Sequence, residues 1–425
     1  MRFNISKDGQ IVSYSKDGET WHDINYQKWS SLILEIISRT KLKIADQMPA
    51  GMTISDLTGD SMLDNLSRQA PYKQDGNKAH VELTTKEFHQ KMVSPMETHH
   101  QLAHTDGTLN KEKVQKYIKN DQTIKGLLCA LLSSCNAVPL RPWQFGSILF
   151  DSSEEADRNL WIVDHRFVAG KPKAKQIHLT FADTLFWLPR DITLELIALL
   201  YYQQPFIGFL LDSQNTPDHL YASHIWALPP TISNKNPLKV WSGTAANQCV
   251  KDLTQQIIGL SMDPSLMRQS SEALLWHKIP VLFQIFHSRE NLHLEKGSYR
   301  HKLCLDSYAN HHGIARLAHA ADIPADRASA CLIIGDIWQS MHKIEDANPI
   351  WKPMVTNSYI FPMDTYDALA YLEAQNQKII AQTTFKAAFD IDNLTGGVGH
   401  LTDINALEAN VCSLTSKTIL HLIFK

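Results

Sequence analysis

Long apolar runs are missing from this chain of 425 residues. The strongest, Leu194 to Leu200, gives way to Gln203-Gln204, well short of the ~18–20 residues a helix needs to span a bilayer. The opening Met1-Arg2-Phe3-Asn4 lacks the apolar centre of a secretory leader. Cysteine is sparse and scattered: Cys129, Cys135, Cys249, Cys304, Cys331 and Cys412 form no Cys-x-x-Cys pair. That excludes a disulfide framework and a cysteine-type zinc site, and favours a reducing compartment. Charge is nearly balanced, 41 basic residues against 44 acidic for a net −3, so non-specific coating of nucleic acid is not expected. With 44% hydrophobic and 20% charged residues, the composition excludes disordered, collagen-like and coiled-coil chains. The expectation is a soluble intracellular protein, nuclear in a eukaryote, with no membrane partner and two or three domains.

What is present begins with two copies of Ser-Lys-Asp-Gly, at 6–9 and 15–18, around the alternating Gln10-Ile11-Val12-Ser13-Tyr14. Asp-Gly pairs beside a β-rich run predict a hairpin or meander. Trp29, Leu32, Ile33, Ile36, Ile37 and Ile44 then recur at helical spacing, predicting about five turns of helix. Residues 50–112 read as loops and short helices. Further helices are expected over 111–119 and 123–133. Strands are expected at Ser147–Phe150, Leu160–Val163 and Gln176–Leu179, with a turn at Ala169-Gly170-Lys171-Pro172-Lys173. Asp191 is expected to cap an apolar helix ending near Tyr202, and Pro229-Pro230 opens a linker to about Lys239. Helices resume near Ala246 and run to about Lys343. The fold class expected is mainly α with a small antiparallel sheet. The division is 1–110, an α-rich N-terminal domain with a β-hairpin; 111–343, the principal domain; and 344–425, an acidic extension for protein contacts.

The chemistry concentrates after the third of these helical stretches. Arg141 follows an apolar helix in Val138-Pro139-Leu140-Arg141-Pro142-Trp143, and Lys171, Lys173 and Lys175 alternate some thirty residues later. On an extended backbone that period places the three ammonium groups on one face. Between Arg158 and Arg190 six basic residues face only Asp164 and Asp183, a local surplus that suits phosphate. Arg166 and Arg190 belong to it and, with Lys173, Lys175 and Arg300, are the candidate DNA contacts.

The order helix, Arg141, short strands, Gly170-Lys171-Pro172, apolar helix resembles the opening half of a tyrosine recombinase catalytic domain. It is similar to Crypton-type recombinases and to the recombinase-like regions that accompany fungal telomere-linked RecQ-type helicases, over about residues 6–340. In the second half, Ser265-Leu266-Met267-Arg268 takes the place of a His-x-x-Arg box, with Ser265 for His. Tyr299-Arg300-His301 and Asp306-Ser307-Tyr308 follow, and Trp338 falls in the closing helix. A second register takes Arg300 as the second arginine and His319 as the histidine.

The resemblance implies DNA recombination or integration of a transposable element, without cofactor, on double-stranded DNA and in DNA-dependent homo-oligomers. The implied catalytic set is Arg141, Lys171, Arg268, His301 and Tyr308. Tyr308 would form a 3′-phosphotyrosyl bond that conserves the energy for rejoining. Two guanidiniums bind phosphate oxygens bidentately at any relevant pH. Lys171 would protonate the leaving 5′-oxygen, and His301 would donate to a non-bridging oxygen. Two other readings stand beside it: a catalytically silent DNA-binding or assembly protein of the same fold, and a hydrolase with a metal held by His99, His100 and His104, the last two spaced i,i+4.

Overall fold

The computed structural model describes residues 2–58, 64–94, 102–136, 139–153, 156–170, 185–212, 221, 223–229, 239–278, 314–321, 323 and 325–345. The chain opens with β1 (Arg2–Ile5), β2 (Ile11–Ser15) and β3 (His22–Asn25), an antiparallel meander in the order β1-β2-β3. The two Ser-Lys-Asp-Gly copies build the same turn twice. Ser6 donates to Asp8 at 2.6 Å and Ser15 to Asp17 at 2.9 Å. Gly9 and Gly18 take φ of 65° and 89°, a region glycine enters without steric cost.

Helix α1 (Tyr26–Ala45) is capped by Asn25, whose side chain accepts from the Gln27 and Lys28 N–H groups. Its apolar stripe from Trp29 to Ile44 is buried, as the spacing predicts. After α2 (Ile54–Thr58) comes α3 (Asp75–Val93), a 19-residue helix in a stretch expected to hold loops and short helices. Only Asn77, Val81, Thr84, Phe88 and Met92 of it are buried, so its apolar stripe is too thin to show as periodicity.

Helix α4 (Lys111–Ser134) is continuous where two helices are expected. The apparent break is polar but internal: Asp121 and Lys125 pair at 2.8 Å with both side chains fully buried. Lys125 also lies 4.0 Å from the centre of the Tyr221 ring.

A 3₁₀ turn, Pro142–Ser147, leads towards β4 (Leu160–Val163), β5 (Arg166–Gly170) and β6 (Leu185–Trp187), a second antiparallel meander. Two local expectations are corrected here. Ser147–Phe150 is no strand; Leu149 makes one isolated bridge to His224. Ala169 and Gly170 lie inside β5, not in a turn. The β4–β5 turn is Asp164-His165, both at positive φ (49° and 57°), the two-residue form that matches strand twist. The expected strand Gln176–Leu179 lies outside the described residues.

Asp191 is not a helix cap: it sits within the 3₁₀ turn Arg190–Ile192 and pairs with Lys41 at 2.8 Å. Helix α5 (Thr193–Ala198), a π turn (Leu199–Gln203) and α6 (Gln204–Asp212) follow without interruption. The span Arg190–Leu211 is long and apolar enough to cross a membrane, and 72% of its most apolar window is buried in the fold. It is packed as a core helix of this protein. Strands β7 (Ala227–Leu228) and β8 (Lys239–Val240) pair, then come α7 (Gly243–Ile258) and α8 (Pro264–Lys278). Helices α9 (Ile314–Ala321) and α10 (Ala325–Met341) complete the described chain.

The architecture is therefore mainly α with small antiparallel sheets. One contiguous core runs from Val12 to Trp338. Its centre is the end of α4, where the Ser134 carbonyl accepts from the indoles of both Trp29 (3.2 Å) and Trp338 (3.0 Å). The two rings meet edge to face at 5.5 Å, so the first helix, the fourth and the last converge on a single oxygen.

Candidate nucleic-acid interface

Arg141 occupies the start of the 3₁₀ turn. Gln144 fixes its backbone reciprocally: the Gln144 side-chain oxygen accepts from the Arg141 N–H at 2.8 Å, and the Gln144 N–H donates to the Arg141 carbonyl at 2.8 Å. The Trp143 backbone packs so closely on Gly243 that a Cβ there would lie 3.1 Å from its nitrogen, which ties the turn to the start of α7. Arg141 is exposed, and among the described residues no carboxylate pairs with it. It is an exposed guanidinium, without an ion pair among the described residues, on a braced turn beside the exposed Trp143.

The lysines belong to the second sheet. Gly170 of β5 pairs with Leu185 of β6, so residues 171–184 leave and rejoin the sheet at one rung. Lys171, Lys173 and Lys175 lie in that connection, outside the described residues. At its root Trp161 covers Gly170, where a Cβ would come within 2.8 Å of the indole.

The other cations of the local surplus are matched by acids distant in sequence. Arg158 is buried and holds Asp64 with two nitrogens, at 2.6 and 2.9 Å. Arg166 is only 11% exposed; it bonds to both Asp336 and Glu345 and sits 5.1 Å from the Trp187 ring centre. Burial raises the Glu345 pKa, with Arg166 pulling it down again. Arg190 pairs with Asp164 at 2.8 Å. A count along 158–190 cannot see Asp64, Asp336 or Glu345, so it overstates the positive face.

Arg268 lies on α8, 3.7 Å from Glu272. Helix α8 packs on α4, β1 and β2 and departs near the C-terminal end of α7, where Thr254 bonds to Met262. Trp143 and Arg141 lie at the other end of that 16-residue helix, about 24 Å away along its axis. No described contact joins the two arginines. Arg300, His301 and Tyr308 lie outside the described residues. The described tyrosines Tyr26, Tyr72, Tyr117 and Tyr201 have hydroxyl pKa values raised by burial, and that of Tyr202 is pushed up to about 12, which suits core hydrogen bonding rather than attack on phosphorus.

His99 and His100 lie outside the described residues. His104 sits in a turn, its N–H donating to the Thr108 carbonyl at 2.8 Å, so the helical i,i+4 spacing does not extend to it. Among the described residues no group of three or more His, Cys, Asp or Glu side chains could hold a metal ion. Sequence reasoning missed the buried Asp121–Lys125–Tyr221 cluster, since nothing in a linear pattern distinguishes a paired internal lysine from a solvated one. No protein-family model, curated protein or solved structure matches this chain.

Proposed function

We propose that this chain is a DNA-binding protein of tyrosine recombinase type, which cuts and rejoins duplex DNA through a 3′-phosphotyrosyl intermediate. One observation carries the reading: an apolar helix, the exposed guanidinium of Arg141 and an antiparallel sheet follow in order, and the connection between the paired Gly170 and Leu185 bears Lys171, Lys173 and Lys175. Arg141 would clamp the scissile phosphate with its planar fork. Lys171 would protonate the departing oxygen and Tyr308 would attack phosphorus, with Arg268 and His301 completing the charge stabilisation. A second reading, DNA binding or assembly without cleavage, is favoured by the ties of Arg158 and Arg166 to buried carboxylates, which make them structural cations.

Nicked suicide duplexes separate the two. The proposed enzyme accumulates a covalent protein–DNA adduct on denaturing gels, and Tyr308→Phe abolishes it. Salt-sensitive binding without adduct supports the silent binder, in which case Arg141→Gln lowers the slope of log K against log salt by about 1. No binding and no adduct leaves assembly. Light scattering with and without duplex tests the DNA-dependent oligomer.

A further inference from the structure

A cleft of about 580 Å³ opens between the 64–68 loop, the start of β4 and α9, and Arg141 is not among its lining residues. Its size suits a ligand of nucleotide dimensions. One wall is the face of α9 that carries Arg316 and His319, three residues apart and therefore side by side. Both are exposed, and among the described residues neither has an ion-pair or hydrogen-bond partner. Arg68 stands on the opposite wall, bonded to Asp157, and the half-buried Leu66 and Ala320 supply the apolar lining, with only an edge of the buried Trp161 reaching it.

The loop that brings Arg68 here is fixed from beneath. Besides gripping Arg158, the Asp64 carboxylate accepts from the N–H groups of Leu66 (2.8 Å) and Ile162 (2.9 Å), and Arg158 donates to the Ser67 carbonyl at 2.7 Å. Leu66 is held at φ 60°, a conformation an L-residue keeps only where its surroundings over-determine it. The result is two guanidiniums and an imidazole, carried on separate segments beside an apolar lining of Leu66 and Ala320, with Asp157 as the one lining acid among the described residues.

We propose that this cleft binds a phosphomonoester of nucleotide size. Arg316 and His319 grip the phosphate from one wall, Arg68 reaches it from the other in exchange for part of its contact with Asp157, and the base or sugar lies against the half-buried Leu66 and Ala320. A phosphate offers acceptor oxygens in several directions, and two planar forks from opposite sides match that geometry better than they match a single-faced carboxylate. The inference concerns a different surface from the one argued for DNA and does not depend on it.

Titration calorimetry on the full chain tests it, with AMP, adenosine, inorganic phosphate and a 5′-phosphorylated dinucleotide beside its 5′-hydroxyl form. AMP is expected to bind at least tenfold tighter than adenosine and than inorganic phosphate. Arg316→Gln and Arg68→Gln each weaken AMP binding at least tenfold without changing the circular dichroism spectrum. If the phosphorylated dinucleotide equals AMP while its hydroxyl form does not bind, a strand end is the source of the phosphate; preference for AMP over the dinucleotide makes it a free nucleotide. AMP binding no tighter than adenosine, or unaltered by both substitutions in a folded protein, overturns the proposal.

Discussion

The two three-stranded meanders share a topology and almost nothing else. In the first, β1 reads exposed, intermediate, exposed, intermediate along its length, only Val12, Tyr14 and Ile24 of the sheet's apolar residues enter the core, and the turns are set locally: Ser6 with Asp8, Ser15 with Asp17, and two glycines at positive φ. In the second, β4 is buried at every position and β5 at every position after Arg166. There the order resides in large side chains: Trp187 donates to the Leu332 carbonyl and Gln339 donates back to the Trp187 carbonyl, both at 3.0 Å. A surface sheet is specified locally and tolerates change on its open face. An internal sheet is specified by what lies against it, and α10 supplies most of that for β6.

The sharpest way to break this contrast is to truncate one side chain in each sheet. Trp187→Ala should cost about 3–5 kcal/mol of unfolding free energy, read as a lower denaturant midpoint at unchanged slope. Ile11→Thr, on the open face of β2, should stay within about 0.5 kcal/mol; equal losses would remove the distinction. A smaller effect is expected from Gly170→Ala, which forces a methyl into the Trp161 indole and should cost about 1–3 kcal/mol through overpacking, measured in the same way.

The smallest effect belongs to the first sheet and is electrostatic. Asp17 is held far below the ordinary aspartate value of 3.8 by the N–H groups of Thr20 and Glu19 and then by Ser15. A depressed carboxyl pKa stabilises the fold above the unfolded value and ceases to do so as pH falls through the folded one. Protection factors at Glu19 and Thr20, corrected for intrinsic exchange, should therefore be constant above pH 3.8 and fall as pH drops below it, while β4–β6 amides remain protected. Simultaneous loss of protection in both sheets would show that the turn has no independent stability.

What could be read from the sequence follows the same divide. The Ser-Lys-Asp-Gly turns and the stripe on α1 are local patterns, and they appear where the spacing puts them. Helix α3 was hidden by its polar surface, and α4 was split because Asn120, Asp121 and Gln122 look like a loop until Lys125 is found buried against Asp121. Strand β5 was overlooked because Asp164-His165 makes its turn without glycine. For the candidate interface, the exposed Arg141 and the sheet after it were legible. The matching of Arg166 by Asp336 and Glu345 was not, because those acids are 170 or more positions further along the chain.

The π turn at Leu199–Gln203 works like a vernier in the central helix. Each residue advances a helix by about 100°, so the wider turn offsets the inward stripe of α6 from that of α5. The offset lets Gln203 reach the Ile44 carbonyl at 2.8 Å and Gln204 the Tyr221 carbonyl at 3.2 Å, while Phe206, Ile207 and Leu210 still point inward. Deleting any one residue of the turn would restore ordinary winding and swing those three side chains by a quarter of a revolution or more, turning Pro205, Gly208 and Phe209 toward the core in their place.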